Sequence, residues 1–184
     1  GPGDTALVHA AAGGVGFLLT QMAKLSGATV IGTVSSEARA QLAREAGADH
    51  TINYTEEDFE QEVKRITNDA GVQVVYDAVG KTTFEKSLAC LERRGYMGLY
   101  GATSGPVPPV PLSALTKSIF LTRPSMSDYA PTGEALVQLA NNVFELVRAG
   151  KLKVRIHGKF PLKDAAEAHR LLEGRQTTGK LLLI

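Results

Sequence analysis

Apolar, β-branched segments recur along the chain at residues 6–9, 29–34, 72–78, 96–100 and 118–122, with helix-periodic stretches between them. Strand and helix in alternation predict an α/β fold with a parallel sheet and right-handed crossovers. The helices have readable ends. The first opens at the glycines of "AAGGVG" and closes at "SGA", where Gly27 can take a left-handed C-terminal cap. The second starts after Ser35 and Ser36, either of which can cap it, and stops at "EAGAD" with Gly47. In "YTEEDFEQEVKRITNDAG" a third helix carries Phe59, Val63 and Ile66 on one face. Helical spacing in "EKSLACLERR" sets Cys90 beside Leu88 and Leu91.

A short internal echo links "ALVHAAAGGVG" to "VQVVYDAVGKT": both are apolar strands that break at glycine before a helix, as the two halves of a doubly wound sheet do. The proline-rich "GATSGPVPPVPLSAL" is too interrupted for a ladder strand, and reads equally as a ligand rim or a connector. After it come one more strand and the longest helical pattern, "TGEALVQLANNVFELVRAG", closed by Gly150. The last stretch, from Lys151, changes character. It reads as strand, turn at Pro161, helix and final strand, pieces of another sheet. The pattern divides the chain into residues 1–150 and a C-terminal segment, 151–184.

Composition narrows the class. The 184 residues, 43% hydrophobic and 21% charged, suit one well-buried globular core. No apolar run reaches membrane-span length and the first residues lack signal-peptide character, so a cytoplasmic protein is expected. One cysteine, Cys90, excludes an internal disulfide framework and a multi-cysteine zinc site, and packing is its expected role. The net charge of +1 argues against a nucleic-acid partner. It is unevenly spread: residues 1–150 hold 12 basic against 16 acidic side chains, and residues 151–184 hold 8 against 3. A solvated basic face explains such a tail, and so does help in binding an anion.

The candidate chemistry lies at the first turn. "AAGGVG" places Gly13 and Gly16 on the G-x-G-x-x-G template for binding a pyrophosphate at a helix N-terminus, with Ala11 at the first glycine position. A strand before it, a helix after it and a second strand at the right interval support a dinucleotide site. Where that second strand ends, Thr33, Val34, Ser35 and Ser36 replace the acidic residue that would hold an unphosphorylated ribose. Two hydroxyls with Arg39 favour a 2′-phosphate, hence NADP(H), while Glu37 is the counterargument.

Together "LVHAAAGGVG", "GTVSSEARAQLAREAGADHTINYTEEDF", "VVYDAVG", "RRGYMGLYGATSG", "TRPSMSDY" and "GKLLLI" resemble the zinc-independent quinone oxidoreductases. These are the zeta-crystallin-like branch of the medium-chain dehydrogenase/reductase superfamily. The resemblance spans essentially the whole chain. It implies a doubly wound, six-stranded Rossmann sheet of order 3-2-1-4-5-6, with residues 151–184 a β-α-β piece of a GroES-like substrate domain most of which lies outside this sequence.

What the resemblance implies about the site is specific. Gly13, Gly14, Val15 and Gly16 resemble the pyrophosphate loop; Ser35 and Arg39 the 2′-phosphate contacts; Tyr54 a tyrosine near the adenosine phosphate. Val79 and Gly80 end a strand beside the cofactor, Tyr100 and Gly101 match a turn near the nicotinamide, and Arg175 matches a basic residue reaching the cofactor phosphate, with Lys180 a further candidate. Each has a plainer reading: Tyr54 as a cover for the sheet edge, Tyr100 as core, Arg175 as a solvated helix-end charge. His9 and His50 are read as structural, and Asp77 as a loop-orienting carboxylate. No catalytic triad, carboxylate pair or metal-ligand cluster stands out. The implied activity is NADPH-dependent quinone reduction without metal, in a homodimer joined at the edge strand near residues 118–124. The alternatives are an enoyl or alkenal reductase and a non-catalytic, crystallin-like NADPH binder.

Overall fold

The computed structural model describes residues 1–174 and 177–184. Six parallel strands form the main sheet: β1 (Thr5–Val8), β2 (Thr29–Val34), β3 (His50–Asn53), β4 (Val72–Asp77), β5 (Leu91–Leu99) and β6 (Phe120–Thr122). Their order is β3-β2-β1-β4-β5-β6, so the chain starts in the centre, winds outward on one side and then on the other. That is the doubly wound order that the family resemblance implies. The crossovers carry α1 (Gly16–Leu25), α2 (Glu37–Glu45), α3 (Phe59–Ile66) and α4 (Phe84–Cys90). Beyond β6 come the short α5 (Met126–Tyr129), the long α6 (Gly133–Arg148), β7 (Ile156–Phe160), α7 (Ala165–Glu173) and β8 (Lys180–Leu183). β7 and β8 pair in parallel as a separate two-stranded sheet.

Covered by helices, the central strands are buried almost end to end, which is why they read as unbroken apolar runs. Leu7, Ile31, Val72 and Val75 from the strands meet Phe59 and Val63 of α3 in one core cluster, with Ile66 packed against it. The opposite cluster is finer-grained. Val8, Val30 and Val34 there meet the alanines of the first turn and of α2. Small side chains let α2 lie close to the sheet.

The caps also follow the sequence. Ser36 is the residue that caps α2, accepting from the Arg39 amide at 3.3 Å, and Gly27 and Gly47 turn the chain out of α1 and α2 at φ +87° and +100°. Two boundaries differ from the pattern. β3 did not stand out as an apolar run because only Ile52 of its four residues is buried. Leu91 is not a helical neighbour of Cys90: it turns to extended backbone (φ −69°, ψ 143°) and begins β5. Both side chains are nevertheless buried in the same core, so apolar spacing alone does not separate helix from strand there.

Candidate active site

The carboxyl ends of β1, β2 and β4 open on a cleft of about 890 Å³. It lies where the winding reverses between β1 and β4, the crevice in which open α/β sheets hold ligands. One wall is the glycine turn. Gly13 donates to the Ala10 carbonyl at 2.8 Å, Val15 stands at the N-cap of α1, and no side chain caps that helix. Elsewhere Ser36 caps α2 and Asp58 accepts from the Glu60 and Gln61 amides of α3. Among the described residues the amides of Gly14, Val15 and Gly16 have no acceptor, so the positive end of α1 faces the cleft with unspent donors.

Gly16 is required by space: a Cβ there would drive into the carbonyl oxygen of Ala10. Ala11, at the first glycine position of the motif, is fully buried and stays out of the cleft. Its methyl is accommodated because its neighbour on β2 is Gly32, where an added Cβ would come within 2.7 Å of it.

At the end of β2, Ser35 and Arg39 line the cleft. Glu37 does not; it turns outward and pairs with Arg44 on the surface of α2, which answers the sequence-level objection that it poses to a 2′-phosphate. Tyr54, half exposed, closes that end. Lys86 also faces the cleft, but binds Asp58 at 2.5 Å, and this hydrogen bond holds the Asp58 carboxyl below its usual range.

Beneath the cleft runs a buried polar chain. Ser87 Oγ donates to Asp77 Oδ2 at 3.0 Å, leaving it to accept from His9 Nε2 at 2.9 Å. Nδ1 of His9 is then the acceptor for the Thr33 hydroxyl, also at 2.9 Å. Burial drives the His9 pKa down to about 4 against the opposing pull of Asp77, which fixes a neutral ring. Asp77 itself takes the amides of Val79 (2.7 Å) and Gly80 (3.0 Å) on Oδ1 and the Thr83 hydroxyl (2.7 Å) on Oδ2. It shapes the turn after β4, and together the chain ties β1, β2, β4 and α4 at the end where the cleft opens.

Of the sequence candidates, Gly13, Gly14, Val15, Ser35, Arg39, Tyr54, Val79 and Lys180 line this one cleft. Gly16 and Gly80 sit just behind its surface, one starting α1 and the other in the turn held by Asp77. Tyr100 and Gly101 instead border a neighbouring hollow of about 680 Å³ with Pro106, Arg123 and Asp128. Burial pushes the Tyr100 hydroxyl up to about 12. Arg175 lies outside the described residues. Sequence reasoning missed Thr82, Thr103 and Ser104, which also line the cleft, and Gly179, whose carbonyl oxygen would stand 3.3 Å from a Cβ placed on Gly14. The proline-rich loop thus does supply part of the rim.

No group of three or more His, Cys, Asp or Glu side chains among the described residues could hold a metal. Cys90 is buried, and its thiol is pushed up to about 12, far from a thiolate ligand. A zinc site does not fit the residues described.

The same chain is recognisably related to known proteins. Residues 14–142 match the zinc-binding dehydrogenase family. Quinone oxidoreductase 1 of Escherichia coli is 48% identical over 187 residues, covering 100% of this chain and 57% of the relative. The crystal structure of Escherichia coli quinone oxidoreductase with NADPH superposes with a TM-score of 0.93. A mycobacterial protein solved with NADPH gives 0.93 at 45% identity, covering 100% of this chain and 57% of that one. The 2-haloacrylate reductase of a Burkholderia species is 44% identical, covering 100% of this chain and 56% of that protein. The chain therefore spans little more than half the length of these relatives. With its family match, its winding order and its glycine-turn cleft in agreement, the chain belongs to the zinc-binding dehydrogenase family and carries the fold of its quinone oxidoreductase members.

Proposed function

We propose that this chain is the cofactor-holding part of an NADPH-dependent quinone reductase that works without metal. The observation that carries the reading is the uncapped start of α1, whose free amides face a cleft lined by Ser35 and Arg39. Its support is the likeness to quinone oxidoreductases solved with NADPH. Gly13, Gly14, Val15 and Gly16 form the turn that receives the diphosphate. Ser35 and Arg39 take the 2′-phosphate, Tyr54 borders the adenosine, and Val79 and Gly80 lie beside the nicotinamide-side path. Tyr100, Gly101 and Arg175 complete the set that the family resemblance suggests.

When bound, NADPH supplies the hydride. The protein's part is to fix the cofactor along the sheet end, with the turn after β4 shaped by Asp77 and the buried His9 ring held neutral. In this reading residues 1–150 are the nucleotide-binding unit, and residues 151–184 return to a substrate domain. The parent is a cytoplasmic homodimer. Its edge strand β6 leaves Phe120 and Leu121 exposed, with Phe120 stacked on Tyr96 at 4.5 Å, an apolar edge suited to pairing. Full-length enzyme that sediments as a monomer at micromolar concentration overturns the dimer.

Titration of the chain with NADPH and NADH tests the core of the proposal. NADPH binds at least about tenfold tighter, and Arg39→Ala removes most of that preference. Equal affinity for the two cofactors overturns it. Similarity to a 2-haloacrylate reductase favours a second reading, reduction of an activated alkene on the same scaffold. Comparison of quinone and 2-haloacrylate turnover by the full-length enzyme separates the two.

A further inference from the structure

The cleft is lined from both sides of the point where the winding reverses, and each side is hydrogen-bonded into a unit of its own. On the β4 side the unit grows from the turn that Asp77 shapes. The Val79 carbonyl accepts from the Ser104 amide at 2.9 Å and from the Ser104 hydroxyl at 2.7 Å, and the Lys81 amide donates to the Gly105 carbonyl at 3.2 Å. Gly80, at φ +87°, lies so near that last carbonyl that an added Cβ would come within 2.9 Å of it. On the β2 side the Ala11 amide donates to the Thr33 carbonyl at 3.1 Å, so the glycine turn is fastened to the strand end that leads to Ser35.

The main chain joins these units only as far as the strands run together. Among the described residues the backbone hydrogen bonds from β1 to β4 stop at His9, whose amide donates to the Tyr76 carbonyl at 3.0 Å. Side chains carry the tie further. At the rim Lys86 pairs with Asp58, but both are substantially exposed, and such a pair holds little in water. In the floor the His9 ring, 1% exposed, accepts from Thr33 on Nδ1 and donates to Ser87 on Nε2. Ser87, fully buried behind the cleft lining, passes the connection to Asp77. Every donor in this chain points the same way, from β2 to the Asp77 carboxylate. The opposite tautomer of His9 would take up the Ser87 proton and break the link to Asp77, and Phe59, edge-on at 4.9 Å, packs against the ring.

We propose that Ser87 is a positioning residue: with the His9 ring it fixes the spacing between the two units, so that one dinucleotide gains from reaching both. The inference rests on the nucleotide reading above and deepens it. A ligand held at two places profits from the second contact only when the separation of the two sites matches its own span. A brace sets that separation beforehand, and the ligand does not have to impose it on binding. A fragment that occupies one unit needs no such match. Ser87 therefore governs what the whole cofactor gains over its adenosine part.

The test titrates the 184-residue chain and the variants S87A, T33V and S87A/T33V with NADPH and with adenosine 2′,5′-bisphosphate. The bisphosphate carries the groups assigned to Ser35, Arg39 and the glycine turn and nothing for the β4 side. S87A weakens NADPH about tenfold and leaves the bisphosphate within about twofold of wild type. T33V cuts the same brace at its other end and gives the same selective loss, and the double variant loses no more NADPH affinity than S87A alone. Losses that multiply in the double variant overturn the assignment. So does S87A with wild-type affinity for NADPH, or with both ligands weakened equally, as general loosening of the fold would produce. Should S87A not fold, histidine nitrogen spectra of the wild-type chain still decide: His9 must carry its proton on Nε2, and a proton on Nδ1 overturns the brace. A wild-type chain that takes up neither ligand overturns the nucleotide reading itself, a result distinct from an S87A that behaves as wild type.

Discussion

Residues 1–99 and residues 100–184 both carry many apolar side chains and treat them differently. In the first stretch they are hidden on the two faces of a parallel sheet. Among the described residues, every buried hydrophobic except Leu152 and Ala168 lies at or before Met97. In the second stretch Leu136, Val137, Leu139 and Phe144 of α6 are exposed, and α6 buries none of its residues. The cleft is built from both, with a glycine wall on the closed half and residues such as Leu172, Gly179 and Lys180 on the open half. One wall therefore rests on a core, and the other on strands that are paired but bury little apolar surface. Bound cofactor is expected to order the second far more than the first.

The contrast breaks first at Leu7. It is fully buried in the central strand, and Leu7→Ala costs about 2–5 kcal/mol in chemical denaturation, whereas Phe144→Ala changes the same midpoint within about 0.5 kcal/mol. Equal effects would mean that the two halves share one core. A smaller effect belongs to His9. Its folded pKa of about 4 is below the ordinary 6.5, so the unfolded chain binds the extra proton first as the pH falls. The contribution of neutral His9 is complete above pH 6.5 and is lost progressively down to about pH 4, roughly 3 kcal/mol in all. His9→Gln flattens that slope in a pH series of thermal melts, and an unchanged slope would show that the ring is not held neutral.

Most of the closed half was legible in sequence because burial on both faces writes continuous apolar runs, and because serine and glycine mark helix ends locally. β3 was obscured by its polar residues, and the junction of α4 with β5 by two adjacent side chains that share a core across a change of backbone. Gly13, Gly14, Val15, Ser35 and Arg39 meet in one cleft because the motif and the end of β2 are local features, whereas Tyr54, Val79 and Lys180 join them from β3, β4 and β8. The buried relay was not legible. Its links join His9 to partners 24 and 78 positions away, and nothing in a string of residues sets Thr33 and Ser87 on either side of one ring. Tyr100 and Gly101 follow β5 and border a separate hollow, while Thr103 and Ser104 of the same loop line the cleft, a distinction that only the course of the loop makes.

Ala11 and Gly32 carry a wider consequence. The crossing of the first turn over β2 has room for one methyl group, and here the loop carries it while the strand gives it up. A search that demands a particular letter on the loop asks about order in a text. The sheet asks only about occupied volume, and that quantity can be shared between segments that the text keeps apart.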